Sequence, residues 1–218
     1  MRKFILLVAL LAAAQAYSQT YIKYNPVTTI AFGAFNPSVE TRLSNHWTFD
    51  CSLMMTFRNE TSSHGPFRIF MLQPEGRFYF KEAFQGFYVG ANIGYAMYRM
   101  TKPDWKLWPF HENEYFKETK SYEVGWANLL GFSVGWEHRF KEKWLVEIYV
   151  GGGLVDYKYE SFSYVTGERT SDLDKEFHHE FWPYKGGVNI GYLLGGNSKK
   201  HNHYKEYSGY KKQARHKR

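Results

Sequence analysis

Residues 87–98 read F-Y-V-G-A-N-I-G-Y-A-M-Y, in which one parity is apolar and the other is small or polar. The apolar parity consists of Phe87, Val89, Ala91, Ile93, Tyr95 and Met97. Side chains alternate between the two faces of a β-strand, so a two-residue period sustained over this length predicts a strand whose faces meet different environments. The same alternation recurs along the chain and predicts an all-β fold.

Alternation and turn signals together predict eight strands, at residues 22–32, 38–43, 47–57, 67–80, 87–98, 122–140, 144–162 and 181–194. Short links join the second and third, the fourth and fifth, and the sixth and seventh strands, whereas longer links follow the third, fifth and seventh. Outer-membrane barrels show this asymmetry, because their periplasmic turns are short and their external loops are longer. The sequence therefore predicts an eight-stranded antiparallel up-and-down transmembrane β-barrel in the outer membrane of a Gram-negative bacterium, with both termini in the periplasm.

Charged residues of the predicted strands share one parity with glycine, and aromatic residues share the other with aliphatic residues. In the fourth strand, Glu75 and Arg77 alternate with Leu72 and Phe78. A large apolar face is unfavourable in water, so we expect that face to meet lipid and the charged face to line the lumen. The alternative is a soluble ligand-binding barrel, in which the apolar face would surround a ligand and the charges would face water.

The N-terminus has the layout of a secretory signal peptide. Arg2 and Lys3 precede an apolar run at residues 4–14, and small residues follow. Cleavage after Ala16 and cleavage after Ser18 both fit this pattern, and we prefer the second. Beyond this segment no apolar run approaches the roughly 20 residues that a transmembrane helix needs, which excludes a helical membrane protein.

The net charge of +7 arises from the C-terminal tail. Residues 199–218 hold eight Lys and Arg against one acidic residue, whereas residues 19–198 hold 18 basic and 20 acidic residues. Nucleic acid is therefore not a predicted partner. The tail has the composition of a disordered segment, and either binds anionic headgroups or periplasmic polymers or is a solvated extension. The chain is thus predicted to consist of a signal peptide at 1–18, a barrel at 19–198 and a basic periplasmic tail at 199–218.

Ten charged residues are predicted to face the lumen. They are Glu40, Arg42, Asp50, Glu75, Arg77, Glu123, Glu137, Arg139, Glu147 and Lys185. An unpaired buried ion is costly and an eight-stranded lumen has room for little more than its own side chains, so we expect opposite charges to pair there. The network is interpreted as a structural plug, and the alternative is a narrow ion or proton channel.

The long link after the fifth predicted strand is rich in aromatic residues. Those that form a candidate contact surface are Trp105, Trp108, Phe110, Tyr115 and Phe116. Exposed aromatic side chains in a loop favour a binding surface. The alternative is that they pack on one another and close the loop.

No motif for catalysis or metal binding stands out. Serine and histidine residues occur in the predicted outer loops, which leaves a lipid-modifying enzyme at the rim as a weaker alternative, but no spacing ties them into a triad. The histidine pairs lack the further ligands of a metal site. We therefore expect no catalytic residue, metal or cofactor. The run Gly151-Gly152-Gly153 lies within a strand and predicts a bulge or a close backbone contact.

An ordered set of short motifs resembles the Bacteroides-type outer-membrane β-barrel family catalogued as domain of unknown function 3575. The motifs are Asn25-Pro26, Val39-Glu40, Pro74-Glu75-x-Arg77, Gly86-Phe87-Tyr88-x-Gly90 and Gly151-Gly152-Gly153. The resemblance covers residues 22–195 and implies an eight-stranded outer-membrane barrel, but it supplies no activity. Together these observations favour a monomeric, non-enzymatic barrel with a structural or interaction role, whose partners are outer-membrane lipid and a periplasmic or surface protein or polymer.

Overall fold

The computed structural model describes residues 19–56, 65–101, 119–141, 143–170 and 178–195. They form one short helix and nine strands: β1 (Thr20–Tyr24), α1 (Pro26–Phe32), β2 (Ala34–Phe35), β3 (Pro37–Arg42), β4 (Trp47–Thr56), β5 (Phe67–Tyr79), β6 (Gly86–Met100), β7 (Ser121–Phe140), β8 (Trp144–Ser163) and β9 (His178–Gly195). The predicted signal peptide and the predicted tail at 199–218 lie outside the described residues.

Eight of the strands form a closed antiparallel ring. Neighbours in the ring follow the order β1-β3-β4-β5-β6-β7-β8-β9, and β9 pairs with β1 to close it. Every strand therefore pairs with its neighbours along the chain, apart from the two-residue β2, which pairs only with the end of β4. The predicted all-β fold with eight antiparallel up-and-down strands is confirmed. In the described residues, no helix has both the length and the apolar character to cross a membrane.

The prediction of one strand at residues 22–32 is wrong, because β1 ends at Tyr24 and a helix follows. Asn25 caps the helix, since its Oδ1 accepts from the backbone N–H groups of Val27 and Thr28 at 3.1 and 3.2 Å. Proline at the first helical position and Gly33 in the left-handed conformation (φ 63°) complete the start and stop signals. These local signals outweigh the β-branched residues between them.

The helix continues the wall of the ring where β1 and β3 are short. It contacts β9 and β2, and β2 in turn pairs with β4. The cap residue Asn25 is buried, and its Nδ2 donates to Tyr149 Oη at 3.0 Å and to the Gly186 carbonyl oxygen at 3.2 Å. The capping side chain thus also ties the helix to β8 and β9.

β9 has a bulge opposite the glycine run of β8. The register between β8 and β9 shifts between Gly151 and Gly153, so that Pro183 and Tyr184 of β9 together oppose Gly152. The bulge predicted from the sequence is therefore present. Because it adds one residue to β9, Tyr184 and Lys185, which are adjacent in sequence, both reach interior partners.

The two faces of the wall differ in polarity. Each of the eight ring strands carries apolar side chains that are exposed on its outer face, including Ile22, Val39, Phe49, Leu72, Ile93, Phe132, Ile148 and Ile190. Residues of the opposite parity are buried inside the ring, and many of them are polar or charged. The core of the molecule is thus the interior of the ring.

Candidate functional site

Eight ionisable side chains meet inside the ring, and we call them the charge cluster: Lys23, Glu40, Asp50, Glu75, Arg77, Glu137, Glu147 and Lys185. They come from seven different strands, because each strand turns one parity inward. All eight side chains are almost completely shielded from solvent. The cluster contains five carboxyl groups and three cationic groups, so the acids are in excess.

Lys23 holds the middle of the charge cluster. Its Nζ donates to Glu40, and it lies 2.8 Å from Glu147 Oε2 and 3.2 Å from Glu137 Oε1. The same ammonium lies 3.3 Å from Asp50 Oδ1. A single buried ammonium group thus contacts carboxyl groups from four different strands, which links opposite sides of the wall.

Arg77 extends the network toward the longer links. Its NH1 lies 2.7 Å from Glu40 Oε2 and 3.0 Å from Glu147 Oε1, and its Nε donates to Glu75 Oε1 at 2.5 Å. Lys185 then donates to the other oxygen of Glu75 at 2.5 Å. Because both oxygens of Glu75 accept from a cation, this carboxylate links Arg77 at the centre of the charge cluster to Lys185 at the edge nearest the longer links.

The hydroxyl group of Tyr79 lies between two carboxyl groups. It is 2.8 Å from Glu40 Oε1 and 2.7 Å from Glu137 Oε2, while Thr48 Oγ1 donates to the same Glu40 oxygen at 2.5 Å. A phenol has one hydrogen, so both contacts are hydrogen bonds only if a carboxyl group donates the second one. Since Glu40 already accepts from Thr48 and the acids are in excess, we infer that Glu137 carries a proton and donates it to Tyr79.

An inserted turn closes the ring below the charge cluster. The turn between β5 and β6 folds inward and buries Phe84 completely, with its ring centroid 4.8 Å from that of Tyr21. Phe84 adopts a positive φ of 65°, which is unfavourable for a bulky residue, and burial of its ring offsets that cost. Leu145 and Leu193 complete this apolar seal. The end of the ring with the short turns is therefore filled by side chains.

Three carboxyl groups of the charge cluster lie close enough to share one cation. Atoms of Glu40, Glu137 and Glu147 lie within 4.8 Å of one another. Lys23 contacts an oxygen of each of the three. The ammonium group of Lys23 thus takes the position that a metal ion would need, and the residues present do not fit a metal site.

Three of the ten predicted lumen residues lie outside the charge cluster. Arg42 ends β3, and its NH1 donates to Gln19 Oε1 at 3.1 Å beside the short turn. Arg139 lies near the end of β7, where its NH2 donates to Glu82 at 2.6 Å. Glu123 lines the other half of the interior. The five aromatic residues predicted as a contact surface, Trp105, Trp108, Phe110, Tyr115 and Phe116, lie outside the described residues.

Sequence reasoning missed the central residue, Lys23. Within β1, Tyr21 and Lys23 share the inward parity while Ile22 points outward, and this short alternation was the available signal. It was obscured because the predicted strand ran on through the helix. Tyr79 and Tyr88 were also missed, although both have the inward parity of their strands and both hydroxyl groups donate to carboxyl groups of the network.

The closed ring with a charged, shielded interior defines a barrel-like, all-β class of protein. The chain belongs to the family described as protein of unknown function (DUF3575), whose family model matches residues 3–194. The resemblance to domain of unknown function 3575, stated from the sequence motifs, is therefore confirmed. No curated protein matches the chain.

Proposed function

We propose that this protein is an integral, non-enzymatic β-barrel of the Gram-negative outer membrane, with a structural or interaction role. The proposal rests on the apolar outer face of the ring. Exposed apolar side chains occur there on every ring strand, from Ile22 on β1 to Ile190 on β9. Soluble monomers rarely expose apolar patches larger than a few hundred square ångströms, whereas a lipid-facing barrel requires a continuous apolar band.

The backbone is also suited to a bilayer. A spanning structure has to satisfy its polar backbone groups internally, and a closed ring of strands leaves no unpaired edge. The layout of the N-terminus as a signal peptide supports export. β1 begins and β9 ends at the side of the short turns, since Thr20 pairs with Gly195 and Leu193 packs in the apolar seal. On this proposal both termini lie in the periplasm.

The closed interior favours a structural or interaction role over the channel alternative. The charge cluster is shielded from solvent, and the apolar seal around Phe84 lies beneath it. Solutes would have to displace paired ions and a buried ring to pass. Contacts with partners then belong to the external links and the periplasmic tail.

A pair of matched lysine substitutions tests the membrane proposal. Phe132, near the middle of β7, is 73% exposed, and Val165, which follows β8, is 76% exposed. We expect Phe132→Lys to lower the free energy of unfolding in lipid vesicles by about 2–4 kcal/mol, because a lysine in the apolar band must leave water. Val165→Lys should change it by less than about 0.5 kcal/mol, as exposed positions usually do.

The measurement is the fraction of the full chain that shows heat-modifiable migration on gels after urea titration in vesicles. Cells expressing the wild type should yield the protein in the outer-membrane fraction of a density gradient. If Phe132→Lys behaves as Val165→Lys does, or if the wild type fractionates with soluble proteins, the proposal is wrong.

A further inference from the structure

The half of the interior toward the longer links contains a cavity of about 570 Å³. This volume lies within the range of small-molecule sites. Lys185 and Tyr149 form part of its floor, directly above the charge cluster, and Phe67 and Met100 mark the level of its rim. The charge cluster therefore gives the cavity a closed end.

A large part of the cavity wall is apolar, unlike the neighbouring charge cluster. Inward side chains from β4 to β8 provide Met54, Ile69, Met71, Ala96, Ala127, Leu129 and Val155. Apolar groups that line open space lack the dispersion contacts of a packed core, and an apolar guest would supply them. Methionine adapts to guests of irregular shape, because its side chain is unbranched and flexible. The wall thus suits an acyl chain.

Gln73 supplies one polar group at the bottom of this wall. It lies on β5 between Met71 and Glu75, lines the cavity and is 3% exposed. Its Nε2 has no hydrogen-bond partner among the described residues. An unpartnered buried donor is unfavourable, and an acceptor on a bound molecule would satisfy it. The bottom of the cavity therefore suits a carbonyl, ester or hydroxyl oxygen.

Charge disfavours an anionic head group in this cavity, and the unpartnered donor of Gln73 disfavours a cationic one. The ammonium group of Lys185 is committed to Glu75, the charge cluster below has an excess of acids, and Glu123 and Glu180 lie in the wall. A carboxylate head would be repelled by these acids. An ammonium head offers no acceptor to Gln73, since it has donors only.

We propose that this cavity binds one neutral amphiphile, with an uncharged acceptor group against Gln73 and an acyl chain along Met71 and Leu129. The site goes beyond the proposed function, because it lies inside the ring and does not depend on what the outer face meets. A soluble ligand-binding barrel has an apolar lumen, whereas here only the half toward the longer links is apolar.

The test is binding of 1-monolauroylglycerol to the full chain in amphipol, followed by native mass spectrometry across a concentration series. The wild type should bind one molecule per chain. Ala96→Phe fills the cavity and should weaken binding at least about 10-fold, because the site would lose the space for the chain. Ala91→Phe places the same ring on the exposed outer face of the same strand and should leave binding unchanged.

Two further comparisons test the head group. Gln73→Leu should weaken binding of 1-monolauroylglycerol by about 10-fold, the usual effect of losing one hydrogen bond. Laurate and dodecylamine, which have a chain of the same length, should bind the wild type at least about 10-fold more weakly. Heat-modifiable migration shows whether each variant has folded, and Ala127→Phe replaces Ala96→Phe if that variant does not fold.

Absence of wild-type binding, equal loss in the Ala91→Phe variant, or retention in the folded cavity-filling variant would overturn the site. Binding of laurate or dodecylamine as tight as that of 1-monolauroylglycerol would overturn the neutral head. Neither result bears on the outer face, which the lysine pair at Phe132 and Val165 tests separately.

Discussion

The hydroxyl of Tyr79 is the point at which the protonation of the charge cluster can be tested. Glu137 donates to it in our assignment, and a glutamine amide can donate in the same way. We therefore expect Glu137→Gln to change the free energy of unfolding by no more than about 1 kcal/mol. Glu40→Gln should cost about 3 kcal/mol or more, because Glu40 accepts from Lys23, Arg77 and Thr48, and both buried cations would lose one of their ionised partners.

Urea titration of both variants in lipid vesicles at pH 7 measures the difference. The two substitutions are matched, since each removes one carboxyl group that lies at the same hydroxyl and both positions are fully buried. Equal losses of stability in the two variants would show that Glu137 is ionised and would contradict the assignment.

The alternation of side chains indicates which residues turn inward, because it depends only on local backbone geometry. It assigns Glu75 and Arg77 to the inside from the sequence alone. It does not say which acid meets which cation, since that depends on the stagger of strands far apart in the chain. Lys23 contacts Glu147, which lies 124 positions away. The pairing therefore had to come from the three-dimensional arrangement.

Local signals also explain which elements the sequence could predict. Seven of the ring strands were found from their alternation, whereas the helix α1 was missed although Asn25, Pro26 and Gly33 mark both of its ends. Its Thr-Thr-Ile segment has high strand propensity, and capping was not weighed against it. In a helix of seven residues, the ends contribute as much as the middle.

The bulge in β9 gives a prediction about the glycine run. A Cβ atom on Gly152 would lie 2.9 Å from Pro183 Cα and closer still to the carbonyl oxygen of Trp182, whereas one on Gly76 would meet nothing within 4 Å. We expect Gly152→Ala to cost about 1–3 kcal/mol through overpacking of the two backbones. Gly76→Ala should be neutral or stabilise the protein by up to about 1 kcal/mol, because it restricts the unfolded chain.

Unfolding of both alanine variants in vesicles, followed by tryptophan fluorescence, measures these effects. Gly152→Ala should also weaken binding of 1-monolauroylglycerol, because the bulge positions Tyr184 and Lys185 at the floor of the cavity. If Gly152→Ala is as stable as Gly76→Ala, the close approach of β8 and β9 is not a constraint on this fold.

In the whole molecule, polarity changes in two directions. Across the wall, the side chains change from apolar on the outside to charged on the inside. Along the axis of the ring, the interior changes from the charge cluster to the apolar wall of the cavity. The first change is what a bilayer requires of a closed ring of strands. The second is not required by a bilayer, so it points to the lumen as a binding site rather than to packing alone.

The only cysteine of the chain, Cys51, offers a direct probe of the outer face. It is half-buried and shares the outward parity of β4 with Trp47 and Phe49, and its neighbour across the ladder is Val39, which is exposed. A spin label on Cys51 of the protein in vesicles should collide more often with oxygen, which concentrates in the bilayer core, than with a polar nickel chelate. A label on Lys81→Cys in a Cys51→Ser background should show the reverse, because the side chain of Lys81 is exposed at the start of the turn. Preferential contact of the Cys51 label with the nickel chelate would mean that water, rather than lipid, covers the outer face.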